Sequence, residues 1–368
     1  MNPVRLGVIG AGNVNRLYLD TIVGCDDLET VVIGDRHTER AEAAAAQYGV
    51  PRHGSVEDVL RAADVDVLVN FTSPASHLAV TRAALEHGKH VFSEKPLGTD
   101  LEEARAILEL ARERSLVVAC APDTFLWNGF QDALRLIRDG GVGDIVFARC
   151  EAVLAGPEAW HPRPQFLYAQ GAGPLFDIGP YYLTALTVAL GPVVRVRAVG
   201  TSKSPTRTIG SGPDAGTIFP VEVPTLTTAI LEFASGVSAT VLLTFDSASH
   251  RGGSLEILGT EATLRTSDPN VHDGATSILT AGADSWREVP LGSSGGIRTA
   301  GLVSLARYLR GTEPLRSGAD LAFHVLEVML AIERASSGAD VVSIRSTYIT
   351  PELLPVDWNL AAPVPTIA

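Results

Sequence analysis

The first third of the chain alternates short apolar runs with helical stretches, and that rhythm restricts the folds open to it. The runs "VRLGVIG", "LETVVIGD", "VDVLVNF", "KHVFS" and "LVVACA" are rich in β-branched residues. Between them lie "NRLYLDTIV", "TERAEAAAAQYG", "SHLAVTRAALEHG" and "LEEARAILELARERS", which read as helices. Strand–helix–strand repetition at this spacing predicts a doubly wound parallel sheet with helices on both faces. This first domain is expected over residues 1–122, the second over 123–368.

Beyond residue 122 the rhythm changes. A helix over "NGFQDALRLIRDGGVG" and another over "PYYLTALTVAL" precede a series of strands: "VVRVRAVGT", "TLTTAILEF", "VSATVLLTF", "GSLEILGT" and "ATLRT". Short turns join several of them, which predicts an antiparallel sheet. Two late helices, "IRTAGLVSLARYLRG" and "ADLAFHVLEVMLAIERASSG", are expected to cover a sheet face or pack back on the first domain. Residues 202–224, rich in Gly, Ser and Pro, read as a long loop. A length of 368 residues suits two domains.

Net charge is −13, which argues against nucleic acid or an anionic membrane surface as partner. It leaves room for a phosphate-bearing cofactor, because loop amides and helix N-termini hold phosphates without net positive charge. The N-terminus enters a strand at once, without a signal-peptide layout, and no apolar run reaches bilayer length. Three cysteines, Cys25, Cys120 and Cys150, form no CxxC pair. They predict no disulfide framework and a reducing cytoplasm. Nine scattered histidines show no ligand spacing, so no metal is expected.

Four stretches carry chemistry. In "GVIGAGNVNRLYL", Gly10 and Gly12 supply a tight turn and a close backbone approach, with Asn13 and Val14 opening the helix. A pyrophosphate suits that turn. Asn15 stands where a third glycine is usual. Asp35 closes the second strand, where a carboxylate accepts both ribose hydroxyls of an adenosine and repels a 2′-phosphate; this favours NAD. Arg36 and His37 beside it keep NADP open. The alternative use of Asp35 is a helix N-cap, for which Thr38 is better placed. Thr72, Ser73 and Pro74 in "NFTSPASH" border the cofactor's middle at the carboxyl edge of the sheet, or start a helix. Finally "HVFSEKPLG" brings Glu94 and Lys95 to the same edge, with Pro96 holding Lys95 extended. Only Lys89, Lys95 and Lys203 are lysines in the chain. Lysine, unlike arginine, can be drawn toward neutrality and shuttle a proton. The competing reading is a Glu94–Lys95 surface pair.

The set "GVIGAGN", Asp35, "TSP..H" ending at His77, "EKP" at 94–96 and "GAGPLFDIGPYYL" at 171–183 resembles the glucose–fructose oxidoreductase/inositol dehydrogenase/MocA (Gfo/Idh/MocA) superfamily. The resemblance spans most of the chain. It implies a Rossmann domain, a second α/β domain whose open, mostly antiparallel sheet often makes a dimer or tetramer interface, and NAD(P)-dependent oxidation or reduction of sugars and polyols. Carried over by residue, Lys95 matches the catalytic or substrate-orienting lysine and Asp177 the acid of the second motif. His77, Thr72, Ser73, Pro74 and Glu94 fall among the cofactor-binding positions.

Where the family often has histidine, this chain has Tyr181, four residues after Asp177 and on one helical face with it if the helix has begun by 177. Tyr181 either shares proton transfer with Lys95, hydrogen-bonds substrate, or packs under the sheet together with Tyr182. In "EAWHPRPQFLY", Trp160 could stack on a sugar ring and His161 replace the missing histidine; a surface loop is the alternative. Asp123 in "APDTF" is a candidate substrate contact. Two other classes stay open: a non-catalytic NAD(P)-binding regulator, and a hydrolase that uses tightly bound NAD for transient oxidation.

Overall fold

Strands β1 (Val4–Ile9), β2 (Leu28–Gly34), β3 (His53–Gly54), β4 (Val67–Asn70), β5 (His90–Ser93) and β6 (Val118–Cys120) lie side by side, all parallel, in the order β3-β2-β1-β4-β5-β6. This is the sheet of the first of two units in the computed structural model, which describes residues 2–271, 274–290, 292 and 298–358. Helices α1 (Asn13–Ile22), α2 (Thr38–Tyr48), α3 (Val56–Arg61), α4 (His77–Glu86) and α5 (Leu101–Glu113) make the crossovers. The strands read as apolar runs because they are buried on both faces: every residue of β4 is buried, as are Val91 and Phe92 of β5. Strand order reverses between β1 and β4, and the carboxyl ends on either side of that switch are where open α/β sheets take ligands.

Two elements here have no periodic signal. β3 is two residues long, and α3 is set by a capping box rather than by an apolar stripe. The Asp58 N–H bonds Ser55 Oγ, and the Ser55 N–H bonds Asp58 Oδ2 at 2.8 Å. Lys89, one of the three lysines, is buried with its ammonium on the Ala62 and Val65 carbonyls at the end of α3. At α2 the N-cap is His37, without a side-chain cap bond, and Thr38 is the first helical residue rather than the cap.

The first unit comprises residues 1–128, 292–323 and 351–368, so the chain leaves it after residue 128 and returns to it twice. Helix α9 (Ala300–Leu309) belongs to it. Residues 317–318 cover the β6 edge, where the Cys120 N–H bonds the Ser317 carbonyl. Arg307, 4% exposed, bonds Asp27 Oδ2 at 2.8 Å and Glu313 at 3.0 Å, and Arg310 also reaches Asp27. This buried ion network ties α9 to the start of β2.

The second unit, residues 129–291 and 324–350, holds a nine-stranded sheet. After α6 (Asn128–Arg138), its strands are β7 (Ile145–Val153), β8 (Val193–Thr201), β11 (Leu226–Phe233), β12 (Ser238–Thr244), β13 (Gly252–Gly259), β14 (Ala262–Arg265), β15 (Ser277–Thr280), β16 (Arg287–Glu288) and β17 (Val342–Ser343). Their order is β16-β15-β14-β13-β7-β12-β11-β8-β17, and every pairing is antiparallel except β7 with β12. The stretch read as a loop over 202–224 carries an antiparallel pair, β9 (Thr206–Thr208) with β10 (Ile218–Pro220). Helices α7 (Gly173–Asp177) and α8 (Gly179–Leu190) pack on the face built from Ala148, Cys150, Leu231, Val241 and Leu243. The opposite face mixes ion pairs with apolar side chains. Glu232 bonds Arg195 and Arg197, Glu256 bonds Arg149 and Arg265, and Val199 and Ile230 stand exposed among them. No helix among the described residues is long and apolar enough to cross a membrane.

Helix α10 (Ala319–Ser336) carries His324, fully buried. Its Nε2 accepts the Val193 N–H at 3.0 Å and its Nδ1 lies 2.9 Å from Ser346 Oγ, an arrangement that requires the neutral ring. Glu327, one turn on, accepts the Arg345 and Ser346 N–H groups. Burial pushes the His324 imidazole down to about 4. The unfolded chain therefore takes up this proton first as pH falls, and the neutral pairing loses its stabilisation between the unfolded pKa, about 6.5, and about 4. Urea unfolding should show wild type losing on the order of 2 kcal/mol through this group between pH 7 and pH 5. His324→Gln should flatten that slope whatever its effect at pH 7; an unchanged slope would remove His324 from the account.

Candidate active site

Gly10 follows β1 with φ +103°, a left-handed conformation, and a Cβ there would stand 2.5 Å from the Phe71 carbonyl oxygen. Gly12 has open space where its Cβ would be, and α1 begins there without a side-chain cap. Gly12 has no side chain to cap the first N–H groups of α1, and a helix start of this kind at the carboxyl edge of the sheet suits a pyrophosphate. Asn15, in place of the third glycine, is buried and donates through Nδ2 to the Gly10 carbonyl at 2.8 Å, so it braces the turn. Val14 is 38% exposed at the opening of α1.

Asp35 performs a task that sequence reasoning missed. Its Oδ2 accepts the Ala11 N–H at 2.7 Å and its Oδ1 the His37 N–H at 2.8 Å, which fastens the glycine turn to the end of β2. Each carboxylate oxygen retains acceptor capacity, so the ribose role stays compatible with both bonds. Arg36 and His37 are exposed beside it.

At the end of β4, Asn70 accepts the Thr72 hydroxyl at 2.7 Å and donates to the His77 carbonyl at 3.0 Å. Ser73 and Pro74 are exposed and begin a single 3-10 turn before α4. His77 is only 1% exposed, with Nδ1 2.7 Å from the Pro96 carbonyl and Nε2 3.0 Å from the Thr72 carbonyl. Both ring nitrogens thus face main-chain carbonyls, to only one of which a neutral ring can donate, and burial pushes its pKa down.

Glu94 is buried, not half of a surface pair. Its Oε1 accepts the Tyr18 hydroxyl at 2.8 Å, its Oε2 accepts the Lys95 N–H at 2.9 Å, and its own N–H bonds the Asn70 carbonyl. Lys95 is partly buried at the turn, and the Lys95–Pro96 bond is cis. Beside this lies Asp123, 2% exposed, whose Oδ2 accepts the Gly301 N–H at 2.7 Å. Burial pushes the Asp123 carboxyl up to about 7 and Glu94 adds to the rise, while the Gly301 N–H and the Arg298 guanidinium pull it down. Arg298 also lies 6.0 Å from the centre of the Tyr18 ring. The first unit therefore gathers Gly10, Gly12, Asp35, Thr72, His77, Glu94, Lys95 and Asp123 along one sheet edge, and adds Tyr18 and Arg298, which no local pattern marks.

In the second unit the expected shared helix for Asp177 and Tyr181 is broken. Asp177 ends α7, Ile178 intervenes, and Tyr181 is the third residue of α8. Pro180 has no N–H to continue the ladder, which accounts for the break. Asp177 is partly buried and Tyr181 buried. Tyr182 is the tyrosine that packs against the sheet. Its hydroxyl donates to Asp268 at 2.7 Å, so close to Gly253 of β13 that a Cβ there would clash.

Trp160 is 68% exposed; its ring meets His161, which in turn meets Phe166, at centroid distances of 5.5 and 5.4 Å. The loop bearing them is anchored by Glu158, which accepts the Tyr168 hydroxyl and pairs with Arg207 at 3.0 Å. Among the described residues no group of three His, Cys, Asp or Glu side chains could hold a metal ion.

A sheet of this order, with an open helix start at its switch point and an acid closing the neighbouring β2, is the arrangement of a dinucleotide-binding domain. The chain belongs to the Gfo/Idh/MocA oxidoreductase family. The sequence profile described as "Oxidoreductase family, NAD-binding Rossmann fold" matches residues 4–121, and that of the GFO/IDH/MocA C-terminal domain matches residues 130–265. A dTDP-3,4-didehydro-2,6-dideoxy-alpha-D-glucose 3-reductase of Streptomyces violaceoruber is 31% identical over 199 residues, 54% of this chain and 57% of that protein. A D-glucoside 3-dehydrogenase of Escherichia coli (strain K12) is 31% identical over 216 residues, 55% of this chain and 60% of that protein. Both matches thus span less than two thirds of the relative. Among solved structures, an NAD binding oxidoreductase from Klebsiella pneumoniae superposes with a TM-score of 0.83 at 19% identity, covering 94% of this chain and all of that one, a likeness of fold.

Proposed function

We propose that the protein is an NAD(P)-dependent dehydrogenase or reductase acting on a secondary hydroxyl or ketone of a sugar, polyol or glycoside. The observation that carries the reading is Lys95. It sits at the carboxyl end of β5, on the same sheet edge as the open α1 start and Asp35. The sugar reductase and glucoside dehydrogenase among the relatives support the substrate class. NAD is the cofactor, with NADP possible beside Arg36; when bound, it accepts or returns the hydride. In this reading residues 1–122 supply the dinucleotide site and 123–368 the substrate-binding and subunit-association surfaces.

Lys95 moves the hydroxyl proton and its ammonium steadies the developing alkoxide. Asp177 holds a neighbouring hydroxyl, and Tyr181 either relays the proton or bonds the sugar. Trp160 and His161 are secondary substrate contacts. Asp123, whose Oδ2 accepts the Gly301 N–H, is a candidate substrate contact. The three cysteines, all buried and none in a disulfide, fit a reducing cytoplasm.

The test is a panel of aldoses, cyclitols and glycosides followed at 340 nm with both cofactors, then repeated on variants. Lys95→Met and Lys95→Arg should each lose about 10²-fold or more in turnover, the range for removing a general acid–base group. Both should keep NAD affinity, whereas Asp35→Ser should weaken NAD and move preference toward NADP. Rescue by arginine would reduce Lys95 to a positive field; full turnover in both variants would overturn the reading. Protein active only as a binder of NAD would point to the regulator. NAD retained through purification with no net NADH would point to the hydrolase.

The ion-paired outer face of the nine-stranded sheet, with Val199 and Ile230 exposed on it, supports association of this chain with itself as a dimer or tetramer. Light scattering at micromolar concentration should give two or four chain masses; a monomer would contradict this.

A further inference from the structure

His77 lies at the first position of α4 with its imidazole wedged between two main-chain carbonyls, those of Thr72 and Pro96. It has no exposed edge to offer a ligand. A neutral ring donates from one nitrogen only, and the shorter contact, 2.7 Å, is Nδ1 to Pro96. The ring is fixed at its root as well, because the His77 carbonyl accepts Asn70 Nδ2. One residue on, Leu78 fills the space beside Gly98, where a Cβ would meet its side chain at 2.5 Å. The first turn of α4 therefore grips the segment 96–98 at two points. On its other side the same segment is held by the bond from the Lys95 N–H to Glu94.

We propose that His77 is a positioning residue: its Nδ1–H bond to the Pro96 carbonyl fixes the turn that aims Lys95, rather than contacting the cofactor. This rests on the reading of Lys95 as the proton-transferring group. Misplacing a reacting group by about 1 Å can cost 10²-fold in rate, so a turn released from α4 should show its effect in kcat. The dinucleotide contacts at Gly10, Gly12 and Asp35 are untouched.

Asparagine places an amide donor where Nδ1 stands, and glutamine places one near Nε2. His77→Asn should therefore keep kcat within about threefold of wild type, while His77→Gln and His77→Leu should lose about tenfold or more. The NAD dissociation constant should stay within about threefold in all three, and His77→Gln should shift the basic limb of the pH–rate profile as Lys95 meets a different environment. Equal rescue by asparagine and glutamine, or losses that follow melting temperature alone, would overturn the assignment. If His77→Leu does not fold, the Asn/Gln pair still decides. Lys95→Met runs in the same series: turnover retained there overturns the Lys95 reading and this inference with it. Turnover lost there but kept at the wild-type level in His77→Gln overturns the inference alone.

Discussion

The geometry of the whole cofactor edge depends on one buried carboxylate. Glu94 leaves β5 into the interior, where an unpaired charge would be strongly unfavourable. It is stable there because the Tyr18 hydroxyl and the Lys95 N–H each bond one of its oxygens. Tyr18 belongs to α1, the helix whose start is shaped for phosphate. Lys95 belongs to the turn where the chemistry is proposed. Glu94 thus joins α1 to the Lys95 turn. Asp123 adds a second acid nearby, and the fold answers it in two ways: Arg298 supplies positive charge, and burial holds Asp123 in the protonated form up to about pH 7.

Around that bond the edge is cross-linked rather than merely juxtaposed. Asp35 ties the glycine turn to β2, Asn15 braces the same turn from α1, Asn70 ties β4 to both Thr72 and the start of α4, and His77 reaches the Lys95–Pro96 turn. The side chains that sequence patterns assign to a cofactor do structural work here as well.

Much of this was legible in the sequence because it is local. The alternation of strand and helix, the Gly10–Gly12 turn, Asp35 at a strand end and Lys95 before a proline all lie within short windows, and backbone periodicity or a fixed turn dictates them. What escaped was tertiary. Tyr18 and Glu94 are far apart in the chain, as are Asp123 and Gly301, and nothing in either segment announces the other. The spacing of His77 fits the family's cofactor pattern; that its ring is also buried between two carbonyls is visible only in three dimensions. The helical face that Asp177 and Tyr181 would share is interrupted at Pro180, whose missing N–H cannot continue the ladder. In the second unit, strand alternation marked two faces without saying which is covered, since Arg, Glu and exposed Val alternate there with the same period as the core.

The bridge at Glu94 can be tested without knowing the substrate. Amide hydrogen exchange of the Lys95 N–H, measured in wild type and in Tyr18→Phe, reads the strength of the hold directly. Losing a charge-assisted partner worth about 1.5–3 kcal/mol should free the carboxylate and speed exchange at Lys95 by about tenfold or more. Unchanged protection at Lys95 in Tyr18→Phe would show that Glu94 does not hold the turn, and the account of the site would fail at its base.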